Sequence, residues 1–229
     1  MTLNQIKMAI YATFITNYYG FKLTTAKNSQ ERKKLRVEYA NRLLDKLNIK
    51  IKIINKTKLP KNGQYLLVSN HRTIIDPLII EIATQDSSIF GHWIAKKELY
   101  NSLFFGKFTR NAGTILLDRE ASQMSTFFKD IKERTKDGDS IFIFPEGTRN
   151  KSDLAISDFK EGSQIIAIKN RLHILPVYIR SRAENTLLSA IKNSKVERFI
   201  EIEFGDIIDY KDRELSLQEA YSRAFNIAQ

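Results

Sequence analysis

Short apolar segments alternate with amphipathic segments along most of this chain, and that alternation restricts the fold more than any other feature of the sequence. Tyr65–Ser69 reads YLLVS and residues 140–144 read SIFIF, which are runs of the length and composition typical of buried strands. Residues 77–83 and 121–136 instead repeat their apolar positions at helical spacing. Alternating strands and helices predict an α/β domain with a mixed, largely parallel sheet flanked by helices.

The remaining segments extend this pattern. Further strands are predicted at residues 49–54, 89–95, 114–117, 174–179 and 199–204, and further helices at residues 162–169 and 215–227. A chain of 229 residues is long enough for one domain with a sizeable core. It contains no cysteine, which excludes disulfides, thiol nucleophiles and metal sites with cysteine ligands.

The positive charge is concentrated near the N-terminus. Residues 1–60 hold 13 Lys and Arg residues against three acidic ones, a net charge of +10, whereas the whole chain has a formal net charge of +11. A basic segment joined to a nearly neutral body suits a polyanion, either a nucleic acid or an anionic lipid surface.

The N-terminal residues favour the lipid surface. Residues 8–21 carry no charge, but this run of 14 residues is shorter than the roughly 20 that a membrane-spanning helix needs. A stripe at helical spacing comprises Ile6, Ile10, Phe14, Tyr18 and Phe21, and a second helix at about residues 30–47 carries Arg32, Lys33, Lys34, Arg36, Arg42 and Lys46. An apolar helix beside a basic amphipathic one is typical of a chain that lies on an anionic leaflet.

We therefore expect residues 1–48 to form a helical membrane-association segment and residues 49–229 to form the α/β domain. The alternative is that both N-terminal helices are ordinary helices packed on the core with a solvated basic face.

A histidine and an aspartate follow the YLLVS strand in the segment SNHRTIIDP. Proline disfavours α-helical backbone in the residue before it, so a helix is predicted to start at Pro77, with Asp76 as its cap. His71 and Asp76 then share a loop in which the carboxylate can reach the imidazole, as a general base and its orienting acid do. A loop histidine and a capping aspartate without chemistry are the alternative.

Familiar nucleophile and cofactor motifs are missing from the sequence. It contains no G-x-S-x-G, H-E-x-x-H, G-x-G-x-x-G or phosphate-binding P-loop. A base at His71 is therefore predicted to activate a hydroxyl group that the substrate supplies.

Residues 144–149, FPEGTR, come directly after the SIFIF strand, at the strand end where α/β domains place ligands. Gly147 allows close backbone approach, Thr148 supplies a hydroxyl, and Arg149 offers a bidentate donor for phosphate. An ordinary turn whose arginine pairs with a surface carboxylate is the alternative.

Lys96 and Arg119 each follow another predicted strand and would complete a basic rim for a phosphate group. Solvated surface charge is the alternative for these two residues.

Taken in order, these segments resemble a known family. NHxxxxD at residues 70–76, AKxEL at 95–99, DR at 118–119, FPEGTR at 144–149 and a strand containing Pro-Val are similar to the glycerolipid acyltransferase superfamily, most of all to its lysophosphatidate acyltransferases. The resemblance covers roughly residues 30–180. Thr73 stands where the family often has Ser, Leu103 where proline is common, and Asn150 where Ser is usual.

The resemblance implies transfer of a fatty acyl chain from a thioester of acyl carrier protein or coenzyme A to the 2-hydroxyl of 1-acyl-glycerol 3-phosphate, giving phosphatidic acid. It makes His71 the general base and Asp76 its orienting residue. It implies neither a cofactor nor a metal. The residues that it associates with the phosphate are Glu146, Gly147, Thr148, Arg149, Lys96 and Arg119.

Such an enzyme is expected to be peripheral or monotopic on the cytoplasmic face of the cell membrane, with no nucleic-acid partner. Two alternatives stay open. The acceptor is another lysolipid, such as a lyso-ornithine lipid, or the protein is a basic module without activity that binds lipid or nucleic acid.

Overall fold

A computed structural model describes residues 2–118 and 123–228 of the chain. Its centre is a seven-stranded sheet with the order β1-β7-β6-β2-β5-β3-β4. The strands are β1 (Ile49–Ile54), β2 (Tyr65–Ser69), β3 (Gly91–Lys96), β4 (Ile115–Leu117), β5 (Ser140–Ile143), β6 (His173–Ile179) and β7 (Arg198–Phe204).

Helices cover both faces of the sheet. They are α1 (Leu3–Lys22), α2 (Ser29–Lys46), α3 (Asp76–Ala83), α4 (Lys97–Tyr100), α5 (Gly106–Asn111), α6 (Met124–Lys136), α7 (Gly162–Asn170), α8 (Ala183–Lys192) and α9 (Leu217–Ala224). The sequence pattern did not predict α4, α5 or α8. The helix predicted at residues 121–136 begins at Met124, and residues 121 and 122 of that prediction lie outside the described residues.

The strand directions confirm the predicted mixed, largely parallel sheet. β6, β2, β5, β3 and β4 are parallel neighbours, whereas β7 is antiparallel to β6, and β1 is parallel to β7. The carboxyl ends of β6, β2, β5, β3 and β4 therefore lie along one edge of the sheet, which we call the carboxyl edge. Loops that leave neighbouring strands at this edge emerge about 5 Å apart.

The two N-terminal helices share a core with the sheet. Tyr19 of α1 and Tyr39 of α2 are buried in the same apolar cluster as Ile79 and Phe142. The hydroxyl groups of Thr16 and Tyr39 are 2.8 Å apart, and burial raises the pKa of Tyr39 to about 12. The division of the chain at residue 48 stays a prediction, and the shared core shows that the two parts pack as one body.

The charges of α2 are distributed differently from the prediction. Lys33 and Arg36 are buried, and Arg32 donates to the carbonyl oxygen of Asn111, so these three cations do not belong to a solvated basic face. The reason is that the loop between α3 and β3 lies against α2 and presents backbone carbonyl groups that need hydrogen-bond donors. The Lys33 ammonium donates to the carbonyl oxygens of Thr84, Ser87 and Ile89.

The guanidinium of Arg36 forms the most buried ion pair of α2. It contacts the carboxylate of Glu81 on α3 and donates to the carbonyl oxygen of Gly91, at 2.8 Å. The indole of Trp93 on β3 donates to the same carboxylate, at 2.8 Å. This network joins α2, α3 and β3 beneath the carboxyl edge.

The apolar stripe of α1, made of Ile6, Ile10, Phe14, Tyr18 and Phe21, faces outward. All five side chains are exposed, and Phe14 is 69% exposed, whereas the opposite face of α1 buries Ile15 and Tyr19. In residues 2–118 and 123–228, we find no helix whose length and hydropathy would let it cross a membrane.

Breaking the Arg36 ion pair should destabilise the fold. Arg36→Ala leaves the Glu81 carboxylate buried without its cation, and we expect the free energy of unfolding to fall by about 3–5 kcal/mol. Urea denaturation followed by circular dichroism measures this change. Arg42→Ala, on the exposed face of the same helix, is the control, and it should change stability by about 0.5 kcal/mol or less. Equal effects of the two variants would contradict the role of the pair.

Candidate active site

The loops that carry the two main motifs emerge side by side. β2 and β5 are parallel neighbours in the sheet, so the NHxxxxD segment and the FPEGTR segment leave the carboxyl edge next to each other. Two backbone contacts join them at His71. Its N–H donates to Oε1 of Glu146, at 2.6 Å, and its carbonyl oxygen accepts from the N–H of Asn150, at 2.7 Å.

Asp76 does not cap α3 as predicted. It is the first residue of the helix, and its fully buried carboxylate turns back to the loop before it. Oδ2 accepts from the N–H groups of Arg72, at 2.6 Å, and Thr73, at 2.8 Å, while Oδ1 accepts from the Thr73 hydroxyl, at 2.5 Å. The loop is short enough for its own N–H groups to converge on this carboxylate, which holds the side chain in one position.

The carboxylate of Asp76 also holds the imidazole of His71. Oδ2 lies 2.8 Å from Nδ1. Since a carboxylate only accepts hydrogen bonds, Nδ1 carries the proton and the neutral ring has its lone pair on Nε2. Within the described part of the chain Nε2 has no hydrogen-bond partner, and the side chain is 18% exposed. The arrangement is that of an oriented general base with its accepting nitrogen directed away from its carboxylate.

Aromatic rings fix the plane of the imidazole. Phe144 stacks on His71 with ring centroids 4.0 Å apart and an angle of 10° between the planes. Trp93 also stacks on Phe144, with the ring centroids 4.9 Å apart. Because Trp93 is bonded to Glu81, a continuous series of contacts connects the ring of His71 with the ion pair of Arg36.

The structure corrects the expectation that Glu146 contacts a phosphate. Its carboxylate is buried, and besides His71 it accepts from the N–H of Ser157, at 2.8 Å, and from the Ser157 hydroxyl. Burial raises the pKa of Glu146, while the bonds from Ser157 and His71 act in the opposite direction. A buried anion whose oxygens already have donors positions the two loops and does not bind a second anion.

The other residues of the FPEGTR turn face outward. Gly147 has a φ of +66°, a left-handed conformation that favours glycine and turns the chain sharply. Thr148 and Arg149 are exposed beyond it, and the Arg149 guanidinium has no ion-pair or hydrogen-bond partner among residues 2–118 and 123–228. A cation held outside the protein's own carboxylates is available to an external anion.

Lys96 lies at the same edge. It ends β3, which is the neighbour of β5, and is half-buried. The strands that lead to His71 and Lys96 flank the strand that leads to Arg149, so the ends of these three strands span about 10 Å of the carboxyl edge. Arg119, the remaining predicted cation, lies outside the described residues.

Sequence reasoning missed several residues that hold this edge together. Asn70 joins β2 to β6, because its side chain exchanges two hydrogen bonds with the backbone of Ile179. The fully buried Tyr221 of α9 lies beneath it, accepting from the N–H of Asn70, at 3.3 Å, and donating to the carbonyl oxygen of Val177, at 2.6 Å. Arg72 donates to carbonyl oxygens of Ser152 and Leu154. The only sequence signal for Asn70 and Arg72 was their position within the SNHR segment. No sequence signal pointed to Tyr221.

Among residues 2–118 and 123–228, no three His, Asp or Glu side chains form a cluster suited to a metal ion.

Comparisons with known proteins identify the family of the chain. The family model described as Acyltransferase matches residues 50–180, more than half of the chain, and the chain belongs to this family. Its relatives include the 1-acyl-sn-glycerol-3-phosphate acyltransferases of Helicobacter pylori and Streptococcus pneumoniae. The first is 39% identical over 51% of this chain and 48% of its own length, and the second is 31% identical over 69% and 55%. The chain thus spans about half the length of these curated relatives.

The fold also has a solved counterpart. The crystal structure of the 1-acyl-sn-glycerophosphate acyltransferase of Thermotoga maritima matches 98% of this chain and 90% of its own, with a TM-score of 0.69 and 21% identity. The likeness extends over α1 and α2 as well as the sheet, and at this identity it concerns the fold.

The contacts of Glu146 predict the effect of a near-isosteric change. In Glu146→Gln an amide NH2 replaces one accepting oxygen, so either His71 or Ser157 loses its acceptor. We expect the free energy of unfolding to fall by about 1–3 kcal/mol, as measured by urea denaturation. Glu161→Gln, at an exposed position of the same loop region, is the control and should leave stability unchanged. A Glu146→Gln protein as stable as the control would show that the Glu146 carboxylate does not hold the two loops together.

Proposed function

We propose that the protein transfers an acyl chain from a thioester to the free hydroxyl of a 1-acyl-glycerol 3-phosphate, forming phosphatidic acid. The observation that carries this proposal is the pairing of Asp76 with Nδ1 of His71, which leaves Nε2 unpartnered within the described structure, on the same edge as the exposed Arg149 and the half-buried Lys96. Family membership and the printed names of the relatives support the same reaction.

The chemistry follows from the ring orientation. Nε2 of His71 takes the proton of the acceptor hydroxyl as its oxygen attacks the thioester carbonyl, and Asp76 stabilises the resulting imidazolium. The tetrahedral intermediate then collapses, breaking the C–S bond, and the imidazolium returns the proton to the departing thiolate. A thioester is already activated, so the protein needs no covalent intermediate. Positioning of the hydroxyl and general base catalysis supply the acceleration.

The acceptor is oriented by its phosphate. Arg149 and Thr148 at the end of β5 and Lys96 at the end of β3 supply cationic and hydroxyl donors, and Gly147 lets the backbone approach closely. Arg119 belongs to this group by its place in the family motif. Glu146 contributes indirectly, through the position of the turn.

The donor in this proposal is an acyl thioester of acyl carrier protein or coenzyme A, with no further cofactor. The enzyme acts on the cytoplasmic face of the cell membrane, where the outward apolar stripe of α1 meets an anionic lipid surface. Exposed cations of the first two helices support this location, since each contributes about 1 kcal/mol near an anionic surface. These are Lys7, Lys34, Arg42 and Lys46.

Removing the imidazole should greatly reduce turnover. We expect His71→Ala to lower kcat by about 10²–10⁴-fold, which is the contribution of a general base, with a normal thermal unfolding transition. Transfer of a radiolabelled acyl chain from a thioester to a panel of lysolipids measures this and identifies the acceptor. His173→Ala, an exposed histidine at the opposite edge of the sheet, is the control. Wild-type turnover by His71→Ala would refute the assignment of His71 as the general base. Transfer only to lyso-ornithine lipid would show that this lipid, and not 1-acyl-glycerol 3-phosphate, is the acceptor.

Removing the arginine should weaken acceptor binding. Because a charge-assisted hydrogen bond contributes about 1.5–3 kcal/mol, we expect Arg149→Ala to raise the KM for 1-acyl-glycerol 3-phosphate by roughly tenfold to a hundredfold. The KM for the thioester should change little. Steady-state kinetics with each substrate varied separately distinguish the two, and Arg213→Ala, an exposed position in another loop, is the control. An unchanged acceptor KM would exclude Arg149 from the phosphate site.

A further inference from the structure

The segment between α4 and α5 exposes large apolar side chains that nothing in the proposed chemistry uses. Leu103 is 92% exposed and Phe104 is 57% exposed, and Leu99 is exposed beside them. We call Leu99, Leu103 and Phe104 the apolar tip. Neighbouring large apolar side chains that protrude together are typical of a binding surface, whereas single exposed ones need no explanation.

The apolar tip adjoins the outward stripe of α1. α5, which begins two residues after Phe104, packs closely on the end of α1, because a Cβ at Gly20 would lie 3.1 Å from the backbone nitrogen of Phe108. Asn111 donates to the carbonyl oxygen of Gly20, at 2.8 Å. Phe21, the last residue of the stripe, lies against Lys107 of α5. The stripe and the tip are therefore neighbouring parts of one outward surface.

Cations border this surface. The Lys107 ammonium lies 3.2 Å from the centroid of the Phe21 ring, and that of Lys22 lies 5.4 Å from the Tyr18 ring. Arg110 adds positive charge around the tip, where Glu98 is the acidic residue of α4, while the Lys97 ammonium is paired with Asp118, at 2.8 Å. Aromatic rings beside ammonium groups suit the boundary between lipid headgroups and acyl chains, where the ring is immersed and the cation stays at phosphate level.

Local hydrogen bonds hold the tip in shape. The Ser102 hydroxyl accepts from the N–H groups of Phe104 and Phe105, both at 3.3 Å, and the carbonyl oxygen of Ser102 accepts from Gly106, at 2.8 Å. Arg110 donates to the carbonyl oxygen of Tyr100, at 2.7 Å. The apolar side chains thus project from an ordered turn.

The tip also follows directly from the candidate active site. Lys96, at the carboxyl edge, is the residue before α4, so the chain runs from the phosphate region into the tip within a few residues. We infer that the apolar tip is a second membrane contact that, together with the stripe of α1, inserts into an anionic phospholipid leaflet. This inference rests on the proposed function, because a membrane contact at the tip would place the acyl chain of the acceptor beside the tip when the phosphate of the acceptor is bound at Lys96.

Vesicle binding tests the inference independently of activity. The full-length protein is mixed with vesicles of phosphatidylcholine and phosphatidylglycerol, and its partition coefficient is measured by flotation. We expect Leu103→Glu to lower partition about tenfold or more, because the variant exchanges an immersed leucine for a charge. Phe14→Glu, in the stripe of α1, should have a similar effect. Ile207→Glu is the matched control, an exposed apolar residue after β7 at the opposite edge of the sheet, and it should partition like the wild type.

Fluorescence gives a second readout of membrane binding that does not require a charged residue to be introduced at the surface. The only tryptophan of the chain, Trp93, is buried, so a new one at the surface reports its own surroundings. We expect the emission of Phe104→Trp to shift to shorter wavelength with these vesicles and to be quenched by lipids that carry a quencher in the acyl chain. Ile207→Trp should show neither effect.

The outcomes separate the inference from the proposed function. Loss of binding in Phe14→Glu but not in Leu103→Glu, with no shift in Phe104→Trp, would overturn the inference while the stripe of α1 remained the membrane contact. Equal partition of all variants would overturn both contacts. A wild-type protein that binds vesicles through the tip but transfers no acyl chain would support the inference and refute the proposed function.

Discussion

The candidate site depends on the parallel pairing of β2 and β5. Because both strands end at the same edge, the NHxxxxD loop and the FPEGTR loop leave the sheet as neighbours, and His71 is joined to Glu146 through its N–H and to Asn150 through its carbonyl group. These contacts of the His71 backbone fix the position of the residue independently of its side chain. Asp76 and Phe144 then fix the ring on two sides, one by a hydrogen bond and one by stacking.

Buried charge extends this support to the N-terminal helices. Arg36 of α2 contacts Glu81, which holds Trp93, which stacks on Phe144 beneath the imidazole. The basic character of α2 therefore serves two purposes. Lys33 and Arg36 satisfy carbonyl and carboxylate groups inside the protein, while Lys34, Arg42 and Lys46 remain at the surface. The same helix connects the proposed membrane surface to the core under the site.

Much of the architecture could be predicted because its signals are local. The strands at Ile49–Ile54 and Tyr65–Ser69 were predicted with their observed ends, since polar residues bound each segment, which is IKIKII in the first and the apolar run YLLVS in the second. The ends of α9 were less accurate, and the short helices α4 and α5 were missed, because a helix of one or two turns has too few residues for a periodic pattern. The direction and order of the strands follow from long-range pairing, which no local signal reports.

For the site, the sequence by itself determined the chemical groups: an imidazole and a carboxylate five residues apart, a sharp turn with an arginine, and an uncharged segment beside a basic one. Only the tertiary structure decided which of these groups face outward and which face the protein. Glu146 belongs to the motif yet is buried between two loops, and Arg36 belongs to a basic helix yet is paired inside the core. The physical reason is that burial of a charge depends on partners that are distant in the chain, here Glu81 for Arg36 and His71 for Glu146.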